Sequence, residues 1–194
     1  LENKYPAGVL LFVEHPPVIT IGRRPGSEVH LLADAELLKT RGVSLIQSDR
    51  GGDVTFHGPG QLVAYPILPL NDYHMGLHDY MRFLEQSVID GLYDFGIRGH
   101  REEGATGVWV DSHRDGLERR AKICAFGVKL RKWISLHGLA LNVTTDLSFF
   151  DLINPCGLGR PVTSLAIELG EKCPAMPEVK NALANVITAK LRLK

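Results

Sequence analysis

The chain has 194 residues, 22 Lys and Arg against 22 Asp and Glu, and 44% hydrophobic residues. That length suits one globular domain with a core large enough to need no staple, and the charge balance leaves no global field for nucleic acid or an anionic membrane. No apolar run reaches the roughly 20 residues of a membrane-crossing helix, and nothing near Leu1 reads as a signal peptide, so neither a nucleic-acid nor a membrane partner is expected. The basic clusters Arg23-Arg24, Arg119-Arg120-Lys122 and Lys129-Arg131-Lys132 read first as solvated faces, with docking of a partner as the minority reading. Cys124, Cys156 and Cys173 are three in number, irregularly spaced and without a C-x-x-C pair. This argues against a disulfide scaffold or a metal site and for a reducing, cytoplasmic setting.

In chain order, Val9–Glu14 and Val18–Gly22 read as strands separated by Pro16-Pro17, either as two strands or as one with a proline break. Asp34–Thr40 is a short helix that Asp34 can cap, and Val43–Gln47 is a strand. After a glycine-rich segment, Leu62–Leu70 is extended. Leu77, Met81, Leu84, Val88, Ile89, Leu92 and Phe95 recur at helical steps, predicting an amphipathic helix over Leu77–Phe95 that stops at Gly96. Thr106–Val110, Ala121–Leu130 and Trp133–Val143 read as strands, the first two flanking a polar loop over Asp111–Arg120. Ser164–Leu169 and Glu178–Leu191 read as helices. Strands outnumber helices and follow one another through short loops, so the expected class is α+β, one domain with a mixed, largely antiparallel sheet packed with helices.

Residues 50–61, Arg50-Gly51-Gly52-Asp53-Val54-Thr55-Phe56-His57-Gly58-Pro59-Gly60-Gln61, hold four glycines between two apolar runs. Glycines let backbone approach a ligand closely, and the polar side chains among them turn an elaborate turn into a candidate binding loop. This run closely resembles the signature of the lipoyl(octanoyl) transferases. The resemblance continues through Ala121-Lys122-Ile123-Cys124-Ala125-Phe126-Gly127, His137-Gly138-Leu139-Ala140-Leu141-Asn142-Val143 and Asn154-Pro155-Cys156-Gly157, ordered motifs over roughly a hundred residues. It implies the biotin/lipoate protein ligase-type fold and a single catalytic domain over residues 1–194. Family members usually carry a strand and helix before the first strand found here, so the resemblance also implies a missing N-terminal piece.

The implied activity is transfer of an octanoyl or lipoyl group from acyl carrier protein to a lysine of a lipoyl domain. The implied acceptors are the lipoyl domains of 2-oxo acid dehydrogenase complexes and the glycine cleavage H protein. Thioester exchange suits a cysteine thiolate. Cys156 lies in a turn-forming stretch, Cys124 reads as a buried hydrophobe within an apolar strand, and Cys173 looks peripheral. The resemblance assigns the acyl-carrying nucleophile to Cys156 and pairs it with Lys122, which would stabilise the thiolate and shuttle the proton. His57 is a further acid/base candidate by its place in the motif, with His137 a weaker one. The implied acyl-binding residues are Arg50, Gly51, Gly52, Asp53, Val54, Thr55, Phe56 and His57, with Ala125, Phe126, Gly127, Gly138, Leu139 and Ala140. Small residues there leave room for an alkyl chain, worth roughly 0.8 kcal/mol per buried CH₂, and the glycine loop's N–H groups are candidates for an oxyanion hole.

The thioester carries its own activation, so no ATP, metal or other cofactor is expected. The nearest rival is an ATP-dependent lipoate- or biotin-protein ligase, whose scheme Arg50-Gly51-Gly52 and Lys122 partly resemble. The Thr55–Gln61 continuation and Pro155-Cys156-Gly157 belong to the transferase pattern instead. A non-catalytic binding module and a papain-like hydrolase are weaker alternatives.

Overall fold

The computed structural model describes residues 8–112, 119–154 and 159–193. Among these residues, nine strands form two sheets. The larger contains β1 (Val9–Val13), β5 (Gln61–Ile67), β9 (Ile134–Asn142), β8 (Arg119–Arg131), β7 (Ala105–Ser112) and β6 (Gly99–Glu102), in that spatial order, and every neighbouring pair is antiparallel. The smaller places β2 (Val18–Ile21) between β3 (Ser44–Gln47), parallel to it, and β4 (Thr55–His57), antiparallel to it. The α+β expectation therefore holds, with the only parallel strand pair confined to the small sheet among the described residues. Pro16-Pro17 marks the point where the chain leaves one sheet for the other, so the proline break separates two strands.

Alternation along the large sheet sorts its two faces. Leu62 and Ala64 of β5 and Leu141 of β9 join the core beneath α2 (Leu77–Tyr93) and α4 (Met176–Arg192). Their neighbours Val63, Tyr65 and Ala140 point the other way, into a cavity beneath the small sheet. In α2, Tyr80, Phe83, Leu84, Val88 and Leu92 repeat at helical spacing and are buried. α4 begins two residues before the expected Glu178, because Pro177 fits the first turn and Glu178 Oε2 accepts from Ala175 N–H at 2.7 Å. Asp34 caps α1 (Ala35–Thr40) as its position predicts, accepting from Leu37 N–H at 2.8 Å.

Two strands were not legible in the sequence. β4 lies inside the glycine-rich segment, and β6 is the half-buried Gly-His-Arg-Glu run whose polarity hides it. The β8–β9 hairpin turns through Lys132 and Trp133, both with left-handed backbones at φ 51° and 63°, rather than running Trp133 into the strand.

Candidate active site

A cavity of about 740 Å³ lies between the sheets. One wall is the 48–57 segment with Val18 and Thr20 of β2; the other is β8 and β9 with Val63 and Tyr65 of β5. The walls are stitched where Gly51 N–H donates to Val128 O at 2.9 Å. A Cβ on Gly51 would fall 2.8 Å from that same oxygen, so a side chain there would part the seam.

Arg50 is 7% exposed and braces the loop from beneath. Its Nη2 donates to Thr20 O at 2.7 Å and Thr20 Oγ1 at 2.9 Å, its Nε to Thr20 Oγ1 at 3.1 Å and its Nη1 to Gly51 O at 3.1 Å. Asp53 also faces protein. Both carboxylate oxygens take His30 Nδ1, at 2.8 and 2.9 Å, Val54 N–H donates to Oδ1 at 2.6 Å, and Arg24 stands 3.4 Å away. Burial alone would raise the Asp53 carboxyl, but these donors outweigh it and hold it below its ordinary value.

The expected acyl-binding residues thus divide. Gly52, Val54, Thr55, His57, Ala125, Phe126, Gly127, Gly138, Leu139 and Ala140 line the cavity, and Arg50, Gly51 and Asp53 border it while holding the loop together. Phe56 turns away. It is 1% exposed, stacks on Phe149 at 4.7 Å and packs edge-on to Phe150, because strand alternation sends it into the small sheet's own core while Thr55 and His57 face the cavity. The Gly51 and Val54 N–H groups are already hydrogen-bonded, so the expected oxyanion hole does not include them.

Lys122 enters the cavity from β8. Its Nζ donates to Thr106 O at 2.9 Å and lies 4.7 Å above the Trp109 ring. Gly107, at φ 143°, leaves space for its stem, since a Cβ there would sit 3.0 Å from Lys122 Cε. Its backbone clasps the segment downstream of the candidate nucleophile: Lys122 N–H donates to Pro161 O and Thr163 N–H to Lys122 O, both at 2.9 Å. Cys156 itself lies outside the described residues. Upstream of it, Asn154 N–H donates to His30 O at 2.8 Å, and Gly159 N–H donates to Asn154 Oδ1 at 3.2 Å. Cys124 is fully buried, and desolvation pushes its thiol strongly upward. Cys173 is half-buried against the main core, less peripheral than expected.

His57 Nδ1 lies 2.7 Å from Gln61 Oε1, and burial, with Arg50 adding to it, brings the imidazole down to about 4. It is therefore neutral at pH 7. His137 also lines the cavity, with its Nε2 2.6 Å from Asp49 Oδ1. The Lys129 and His137 bonds bring the Asp49 carboxyl down to about 2. Three cavity residues had no signal in the sequence: His15, whose Nε2 is 2.8 Å from Tyr65 Oη, Tyr65 itself, and Thr106. His15 and Tyr65 are 50 positions apart, and no local spacing reveals a pair formed by tertiary folding.

Residues 2–188 match the lipoyl protein ligase A/B catalytic domain. An octanoyltransferase of Chloroflexus aggregans is 54% identical over 176 residues, covering 90% of this chain and 76% of that protein. An octanoyltransferase of Porphyromonas gingivalis is 50% identical over 173 residues, covering 89% of this chain but only 35% of that longer protein. A bi-partite lipoate protein ligase from Thermoplasma acidophilum, solved with its E2 lipoyl domain, has the same fold at a TM-score of 0.75 and 20% identity, covering 95% of this chain and 71% of that one. With nearly its whole length matched and relatives at about half identity, the chain belongs to the lipoyl protein ligase A/B catalytic domain family.

Proposed function

We propose that the chain is an octanoyltransferase that moves an octanoyl group from the thioester of acyl carrier protein to a lysine of a lipoyl domain, through a thioester on Cys156. The acyltransferase assignment follows the octanoyltransferase relatives near 50% identity. The observation that carries the finer reading is the placement of Lys122, whose ammonium reaches the cavity while its backbone binds Pro161 and Thr163, downstream of Cys156 in the chain.

In this reading the Cys156 thiolate attacks the thioester carbonyl. The new S–C bond forms as the old one breaks, and the departing carrier thiolate takes a proton from Lys122. The acceptor's neutral amine then attacks the octanoyl-enzyme. As the N–C bond forms, Lys122 recovers a proton from the amine and Cys156 leaves as thiolate, restoring the starting charges. The apolar walls, Val63, Leu139, Ala140 and Ala125 among them, bury the alkyl chain. Acyl carrier protein and lipoyl domains are the partners, and neither ATP nor a metal takes part.

The test is intact-protein mass spectrometry after mixing the chain with octanoyl-carrier protein without ATP. A hydroxylamine-labile octanoyl adduct on wild type, absent from Cys156→Ser, is the expected result. Acylation that appears only with free octanoate and ATP would move the chain to the ligase reaction.

A further inference from the structure

Gln61 is 1% exposed and Asn142 4%, and their amides form a continuous line from His57 to the Lys122 clasp. Asn142 Nδ2 donates to Thr163 O at 2.9 Å. Gln61 Nε2 donates to Asn142 Oδ1 at 2.9 Å and to Phe56 O at 3.2 Å. Backbone carbonyls only accept, so Thr163 O fixes the orientation of the Asn142 amide and Phe56 O fixes that of Gln61. Turning either amide over would set oxygen against oxygen in a buried place, at a cost of about 1–3 kcal/mol for each group left unpaired. Gln61 Oε1 is thereby left facing His57 Nδ1 at 2.7 Å, and an amide oxygen can only accept. The proton must sit on His57 Nδ1. Its Nε2 then carries a lone pair, and makes no hydrogen bond among the described residues although the side chain lines the cavity.

We propose that Gln61 and Asn142 are positioning residues that lock His57 as the neutral Nδ1–H tautomer, leaving Nε2 as the acceptor for an N–H of the attacking amine. The role rests on the octanoyltransferase reading, since an amine nucleophile is what brings an N–H to this wall. An acceptor at Nε2 holds one N–H of the amine and leaves its lone pair free to attack, while Lys122 takes the other proton. The charged and titratable groups around the ring reinforce neutrality: Arg50, His15, with its ring centroid 5.8 Å away, and His137 all disfavour a second proton.

The test is NMR of the full chain labelled with ¹⁵N-histidine, with His57 assigned by loss of its signals in His57→Gln. At pH 7 wild-type His57 is expected to show a protonated Nδ1 and a bare Nε2. Gln61→Met removes the acceptor, and the two tautomers should mix. Gln61→Glu places a carboxylate at Nδ1, and the midpoint for forming imidazolium should rise by more than one pH unit. In single-turnover transfer from the octanoyl-enzyme to an amine, Gln61→Met should be about tenfold slower, a larger loss than in octanoyl capture. A merely structural role would lower both steps together. A protonated Nε2 in wild type, or a tautomer indifferent to Gln61→Met, would overturn the proposal. The NMR result needs no acyl donor, so a locked tautomer in a protein that forms no octanoyl-enzyme would count against the reaction and not against the relay.

Discussion

Gly107 and Lys122 meet where β7 and β8 fall out of register, and the lysine stem occupies the space a side chain at 107 would take. A Cβ there would also lie 2.9 Å from Cys124 O, on a backbone at φ 143° that L side chains resist. Gly107→Ala should therefore push the Lys122 ammonium away from Thr106 O and, under the proposed mechanism, slow octanoyl-enzyme formation in the direction of Lys122→Met, where loss of a proton shuttle would cost about 10²–10⁴-fold. Rates per folded molecule, with the folded fraction taken from thermal melts, check this. Full speed in Gly107→Ala would mean that the contact does not set the lysine's place.

The cysteines should differ sharply towards iodoacetamide. Cys124 is sealed in the core with its thiol pushed upward, so it should stay unmodified until the protein unfolds. Peptide mapping of native protein should find alkylation first at Cys156, in step with loss of activity, and Cys124→Ala should retain the octanoyl adduct. Early alkylation of Cys124 would contradict its burial.

Ala125 and Ala140 stand opposite each other on β8 and β9 and both line the cavity. Ala140→Leu adds three carbons to this wall. Each CH₂ excluded removes roughly 0.8 kcal/mol of burial, about a fourfold factor per carbon, so preference should move from octanoyl towards shorter chains. Competition among C4, C6, C8 and C10 carrier thioesters reads the shift directly. An unchanged order would place the alkyl chain elsewhere.

The central runs of the large sheet were legible because one face of each meets the helix layer, and alternation survives in Leu62–Tyr65 and Gly138–Leu141. The cavity residues of the glycine segment were legible through a motif. What motif reading could not supply was direction. It counted Phe56 with the acyl-binding residues, whereas the period of a three-residue strand turns Phe56 inward between two cavity-facing neighbours. Arg50 and Asp53 likewise sit in a binding motif but act on Thr20 and His30, which only tertiary structure brings beside them.

Phe56→Ala is consequently predicted to be a stability variant. Losing a fully buried ring stacked on Phe149 should cost about 3–5 kcal/mol in chemical denaturation. Octanoyl chain-length preference should be unchanged in the molecules that remain folded. A changed preference would return Phe56 to the acyl wall.

Acid should weaken the fold through His57. Its imidazole is about 4 when folded against an ordinary 6.5, so between these values the unfolded chain binds the extra proton. The contribution is fully present above 6.5 and is lost as pH falls towards 4. His15, lowered by its own burial, acts in the same sense. Melting temperature against pH at constant ionic strength should fall across this window, with a shallower slope in His57→Gln. Equal slopes would assign the acid loss to other groups.

His30 belongs to a short 3-10 turn (Ser27–His30) that contributes nothing to either sheet, yet it grips Asp53 with its ring and Asn154 with its carbonyl. One residue thus acts as a crossbar between the loop that forms one wall of the cavity and the segment that leads to Cys156. A substitution at Asp53 would therefore loosen His30 and, through it, Asn154, so a change in the cavity wall would reach the chain leading to Cys156 in a protein whose Lys122 was untouched.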